Sequence, residues 1–226
     1  MQIAIPIYPA FTALDAIGPY EVLQRLPGAE VVFCSERAEV VRTEQGMLGI
    51  AADRTLDQVD RPDIVVVPGG SGTRFLLDPA GPYASWIARV HETTTWTTSV
   101  CTGSLLLAAA GVLDGVDATT HWAARGLLGE LGANPVAERV VERDKVVTAA
   151  GVSSGIDMAL RLAERIAGPE VAQALQLGIE YDPDPPHDTG SLEKAPQAIV
   201  ELTGIALAEE DGRAVALHSL GERSAG

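Results

Sequence analysis

The run Ile64-Val65-Val66-Val67-Pro68 narrows the possible folds more than any other stretch of the chain. Its four leading residues are all β-branched and lack the polar alternation of a half-solvated strand, so they predict a strand covered on both faces. Strands of that kind belong to parallel sheets with helices packed on either side. Pro68 ends the run and Gly69-Gly70 open a tight loop.

Other segments repeat the pattern. Residues 2–8 and 29–34 read as strands, as do 95–100 and 117–121. Gly18-Pro19 predicts a helix start, because proline suits a first helical turn. Helices are expected near 82–91, 103–110, 123–131, 155–167 and 169–178, with a small antiparallel excursion near Gly46–Gly49 and a hairpin over 138–150 around Arg143-Asp144. The alternation predicts an α/β fold, an open and largely parallel sheet with helices on both faces. Residues 1–208 are expected to form a single domain, and the polar stretch 209–226 a poorly ordered tail.

Of the 226 residues 46% are hydrophobic and 21% charged, enough apolar material for a large core. The formal charge of −15 repels phosphate backbones and anionic membrane surfaces, so neither nucleic acid nor membrane is expected as a partner. The N-terminal MQIAIPIYPA lacks a basic leader and no apolar run reaches bilayer length, which predicts a cytoplasmic protein. Two cysteines, Cys34 and Cys101, without zinc-type spacing, predict no metal and no cofactor.

In open parallel sheets the functional crevice lies beyond the carboxyl ends of the strands. That rule selects the loop holding Asp15, the Gly69-Gly70 loop, and Cys101. The stretch SVCTGSLLLAAAG runs strand, cysteine, small residues, helix, which is the layout of a nucleophile elbow with sulfur as the attacking atom. A thiol at a helix N-terminus is expected to ionise more readily than usual. The competing account is a buried cysteine acting as a small hydrophobe, which is the reading for Cys34. Asp15 could cap a helix, since Thr12-x-x-Asp15 resembles a capping box. At the mouth of the same sheet it could instead hold a proton for Cys101. Gly69 and Gly70 could aim backbone N–H groups at a developing negative charge or simply form a turn. His121 could assist chemistry or be a hydrogen-bonded strand-end histidine.

Together, LDAIGPYEVL, DIVVVPGG, SVCTGSLLLAAAGVLDG, ATTHW, GIDMAL and LQLGIEYDPDPP resemble the ThiJ/PfpI superfamily, in its isocyanide hydratase branch. The resemblance implies an α/β three-layer sandwich with a mostly parallel central sheet, flavodoxin-like or class I glutamine amidotransferase-like, a homodimer and a small-molecule isocyanide substrate. It implies cofactor-independent hydration to an N-substituted formamide through a Cys101 thioimidate, with Asp15 as acid and base. The backbone around Gly70 and Thr102 would belong to the anion-stabilising pocket, and Val152 to the wall behind the cysteine, where the branch implies isoleucine. PfpI-type proteases carry histidine directly after the cysteine; Thr102 stands there, which disfavours amide hydrolysis. The alternatives are glyoxalase or deglycase action on α-oxoaldehydes with the same Cys101, and a sensor domain of AraC-type regulators lacking its DNA-binding half.

Overall fold

In the computed structural model, which describes residues 1–208, Ile64–Val67 lies fully buried near the middle of a seven-stranded sheet. The strands and helices in chain order are β1 (Gln2–Pro6), α1 (Ala13–Leu23), β2 (Glu30–Ser35), β3 (Val40–Arg42), β4 (Gly49–Ala51), β5 (Arg54–Thr55), β6 (Ile64–Val67), α2 (Pro82–His91), β7 (Trp96–Val100), α3 (Gly103–Ala109), β8 (Asp117–Ala118), α4 (Arg125–Glu130), β9 (Asn134–Pro135), β10 (Val140–Arg143), β11 (Val146–Ala149), α5 (Ser154–Ala167) and α6 (Pro169–Gly178). The sheet order is β10-β11-β7-β6-β1-β2-β5. Every neighbouring pair is parallel except β10 and β11, which form the hairpin expected around Arg143-Asp144. The excursion near Gly46 is the separate antiparallel pair β3-β4.

Helices cover both sides of the sheet: α1, α5 and α6 pack together, and α2, α3 and α4 form a second group. The β-branched strands therefore contact apolar side chains on two faces, which accounts for their unalternating sequence. All seven residues of α3 are buried, so its leucine and alanine run has no solvated face to supply with charge.

β1 has β2 on one side and β6 on the other, so the chain reverses its direction of winding at β1. Ligand crevices of doubly wound sheets form at such switch points. Tyr8, just past β1, spans this one: its hydroxyl donates to the Pro68 carbonyl just past β6 at 2.6 Å and pairs with Thr73 Oγ1 at 3.0 Å.

One boundary differs from the sequence expectation. Helix α1 begins at Ala13, so Pro19 lies inside it and Asp15 in its first turn. Pro19 has no N–H for the carbonyl four residues earlier, that of Asp15, so the helix tolerates it at the cost of one bond near its start.

The described chain clusters into two compact units, Met1–Glu180 and a second beginning at Tyr181. The second contains a proline-rich stretch and a helix over 197–208 with Ile199, Leu202 and Ile205 exposed. The tail expected over 209–226 lies outside the described residues. Among the described residues no helix is long and apolar enough to cross a membrane.

Candidate active site

Strand β7 delivers Cys101 into a two-residue turn, Cys101-Thr102, before α3. Its φ is +55°, a left-handed conformation that costs a side-chain-bearing residue roughly 1–2 kcal/mol. The surroundings fix that conformation from several directions. The Cys101 N–H is shared between the carbonyls of Ala149 at 3.1 Å and Ala150 at 2.8 Å, and its own carbonyl accepts from Ser104 Oγ at 3.2 Å and Thr120 Oγ1 at 3.0 Å. Strand β11, helix α3 and the segment after β8 thus hold one residue's backbone. Such strain persists only where the surroundings over-determine the backbone.

Cys101 is 6% exposed, and the backbone N–H groups of Thr102 and Val152 are directed at its sulfur. These two amides favour a charged sulfur. Burial and the nearby Asp15 carboxyl oppose them, and the net result is a pKa well above the ordinary thiol value. The sequence expectation of a readily ionised thiol is therefore corrected: α3 has only seven residues, and its end field is outweighed by desolvation and a neighbouring negative group. The balance of these influences favours the neutral thiol over the thiolate.

Asp15 is fully buried. Its Oδ2 accepts from the Gly69 N–H at 2.9 Å, while Oδ1 is buried with no partner in full hydrogen-bond geometry. Burial pushes its pKa up to about 7, offset by the Gly69 amide, raised further by Glu44, and lowered by the Cys101 thiol. A carboxyl group near 7 beside a thiol is a proton carrier matched to neutral pH. The helix-cap account of Asp15 does not hold, because Thr12 makes no capping bond and the carboxylate goes to Gly69 in another loop.

The glycine pair does a different task from the one expected. Gly69 N–H is taken by Asp15, and Gly70 N–H by Thr102 Oγ1 at 2.9 Å, so neither amide faces an open space. Both glycines are needed for close approach. A Cβ on Gly69 would lie 2.5 Å from the Thr102 nitrogen and 2.9 Å from Asp15 Oδ2, and Gly70, at φ +143°, would place one 2.5 Å from the Ala10 carbonyl oxygen. The amides at the sulfur belong instead to Thr102 and Val152. Thr102 also connects, through Thr73 Oγ1 at 3.0 Å, to the Tyr8 hydroxyl, a hydroxyl chain that braces the elbow against β1.

His121 does not join the pair. Its Nδ1 accepts from Ala123 N–H at 3.4 Å, and its ring lies against Trp122 and near Gly151. Burial and the Arg125 charge hold it below the usual histidine pKa. The useful residue of ATTHW is Thr120, which grips the Cys101 carbonyl; the sequence reading passed over it in favour of its ionisable neighbour. Glu44 was also passed over, and lies within electrostatic reach of both Asp15 and Cys101. Cys34 is buried in β2 with its thiol pushed up to about 12, an inert core residue. Among the described residues no three His, Cys, Asp or Glu side chains are grouped to share a metal ion.

The sequence profile of the DJ-1/PfpI family matches residues 1–165. An isonitrile hydratase from Pseudomonas putida is 40% identical over 201 residues, covering 89% of this chain and 87% of that protein. The crystal structure of a ThiJ/PfpI family protein from Pseudomonas syringae superposes with a TM-score of 0.87 at 34% identity, covering 96% of this chain and 89% of that one. A glutathione-independent glyoxalase from Caenorhabditis elegans is 26% identical over 165 residues, 72% of this chain and 86% of its own length.

Proposed function

The chain belongs to the DJ-1/PfpI family, and on that premise we propose that it hydrates isocyanides to N-substituted formamides with Cys101 as nucleophile and Asp15 as the acid and base. The observation that carries this reading is the pairing, at the switch point of the sheet, of a strained, amide-facing cysteine with a buried carboxyl group whose Oδ1 is unsatisfied. The 40% identity to a protein named as an isonitrile hydratase supports the choice of substrate.

An isocyanide, R–NC, has an exposed terminal carbon that accepts a nucleophile and then a proton. In the proposed course the thiol proton passes to the Asp15 carboxylate as sulfur bonds to that carbon, and Asp15 returns it to the carbon, leaving the thioimidate R–N=CH–S–Cys101. Water then adds to the same carbon, its first proton reaching nitrogen by way of Asp15. Collapse of R–NH–CH(OH)–S–Cys101 breaks the carbon–sulfur bond, gives R–NH–CHO and restores the thiol with the hydroxyl proton. One water is consumed, and no electrons are gained or lost. Covalent capture divides a hard addition into two easier ones. Because the neutral thiol is favoured, proton removal accompanies attack, which gives the acceptor carboxylate a direct role.

A pH dependence follows. Protonated Asp15 cannot accept the thiol proton, so kcat/KM is expected to rise with pH about tenfold per unit below the pair's midpoint and level off above it. With Asp15 raised to about 7, that midpoint is expected near neutrality, and it belongs to the coupled pair. A rate independent of pH from mildly acid to mildly alkaline solution would remove Asp15 from the mechanism.

The deciding assay is formamide release from an aryl isocyanide, set against lactate formation from methylglyoxal. The second arm tests glyoxalase action, which the likeness to the nematode glyoxalase supports and which would use the same sulfur. Formamide release without lactate is expected; lactate without formamide overturns the proposal.

A further inference from the structure

Glu44 lies in the connection between β3 and β4, a segment inserted between two strands of the main sheet with no sequence mark of function. Its surroundings are specific. The excursion is joined to the loop before α1 by Ala10 N–H to the Arg42 carbonyl at 2.9 Å, Glu44 N–H to the Phe11 carbonyl at 3.3 Å, and a bridge between Phe11 and Thr43. Glu44 Oε1 accepts from Thr12 Oγ1 at 2.9 Å and from Ser71 N–H at 3.0 Å. Thr12 N–H in turn donates to the Gly69 carbonyl at 2.8 Å.

Thr12 and Gly69 are the two points that place Asp15: the first begins its helix and the second donates to its Oδ2. A single carboxylate oxygen therefore ties together the two loops that frame Asp15. The threonine hydroxyl that could have capped α1 is given to Glu44, leaving the helix start uncapped by side chain. A threonine spent in this way holds loops together at the expense of its own helix.

We propose that Glu44 is a positioning residue for the Cys101–Asp15 pair, clasping the two loops that hold Asp15 and setting a carboxylate beside the pair. This rests on the reading of Cys101 and Asp15 as the reacting groups. Glu44 and Tyr8 are ionisable groups that lie near both members of the pair. Tyr8 is buried and held neutral, its pKa well above its usual value, so it contributes no charge. Like charge disfavours ionisation, so Glu44 raises both members of the pair, in agreement with the direction found for each.

Glu44→Gln keeps an acceptor oxygen for Thr12 and Ser71 while deleting the charge; Glu44→Asp keeps the charge while shortening the clasp. The pH midpoint of Cys101 alkylation by iodoacetamide, read on its own peptide by mass spectrometry, reports the pair without reference to any substrate. In Glu44→Gln that midpoint, and the midpoint of formamide production, are expected to fall by about half to one pH unit. In Glu44→Asp the midpoint is expected to stay with the wild type while turnover drops roughly tenfold from misplaced loops. An unmoved midpoint in Glu44→Gln overturns the charge role, and wild-type turnover in Glu44→Asp overturns the clasp. If Glu44→Gln does not fold, the Glu44→Asp measurement still decides the clasp. Absence of hydration in the wild type, with the alkylation shift intact, would discard the substrate and keep Glu44 in place.

Discussion

Alanine in place of Cys101 is expected to lower formamide production by at least about 10⁴-fold, the scale on which removal of a covalent nucleophile acts. Folding should be little changed. The substitution deletes one sulfur atom from a site 6% exposed, and alanine meets the same left-handed backbone that cysteine already occupies. The four backbone bonds to position 101 do not involve the side chain and persist. Matching thermal melts with turnover lost would locate the effect in chemistry, while a variant that still releases formamide at a tenth of the wild-type rate would remove sulfur from the reaction.

Asparagine in place of Asp15 is expected to cost about 10²- to 10⁴-fold in turnover, the usual weight of a positioned acid or base. Its effect on stability separates a proton carrier from a structural residue. The folded-state pKa of Asp15 is raised from 3.8 to about 7, so the folded chain binds this proton more tightly than the unfolded one. The associated stability is present below about pH 4 and is lost as pH climbs toward 7; above that, a buried charge is carried at a cost. Asparagine has no charge to bury and its amide oxygen can still accept from Gly69. The variant is therefore expected to melt at or above the wild-type temperature at pH 8 while being far less active. A variant that is destabilised at pH 8 and fully active would reinstate the structural account.

Much of this site could be read from the chain because strand-end positions in a parallel sheet converge on one crevice. Asp15, Gly69 and Cys101 follow β1, β6 and β7, three adjacent strands, so locating those strands located the residues. What the residues do with their hydrogen bonds was less accessible. Gly70 and Gly69 looked like free donors because the sequence does not tell that Thr102 and Asp15 arrive opposite them. Thr120 and Glu44 act across separations of 19 and 27 residues, to Cys101 and Ser71, contacts set by packing and not by local pattern. The start of α1 lies earlier than expected because the helix forms its first turn at Ala13 and carries Pro19 in its second at the cost of one hydrogen bond. The ionisation of Cys101 was misjudged because a helix terminus is visible in sequence and desolvation is not.

The left-handed backbone at position 101 has a consequence for how this chain could change over time. Glycine is the residue that this conformation accommodates without penalty, and it would also remove the sulfur. Drift filtered only by the ability to fold would thus carry position 101 toward glycine. Under the proposed hydration, a cysteine standing there is kept for its sulfur, against the preference of the backbone that carries it.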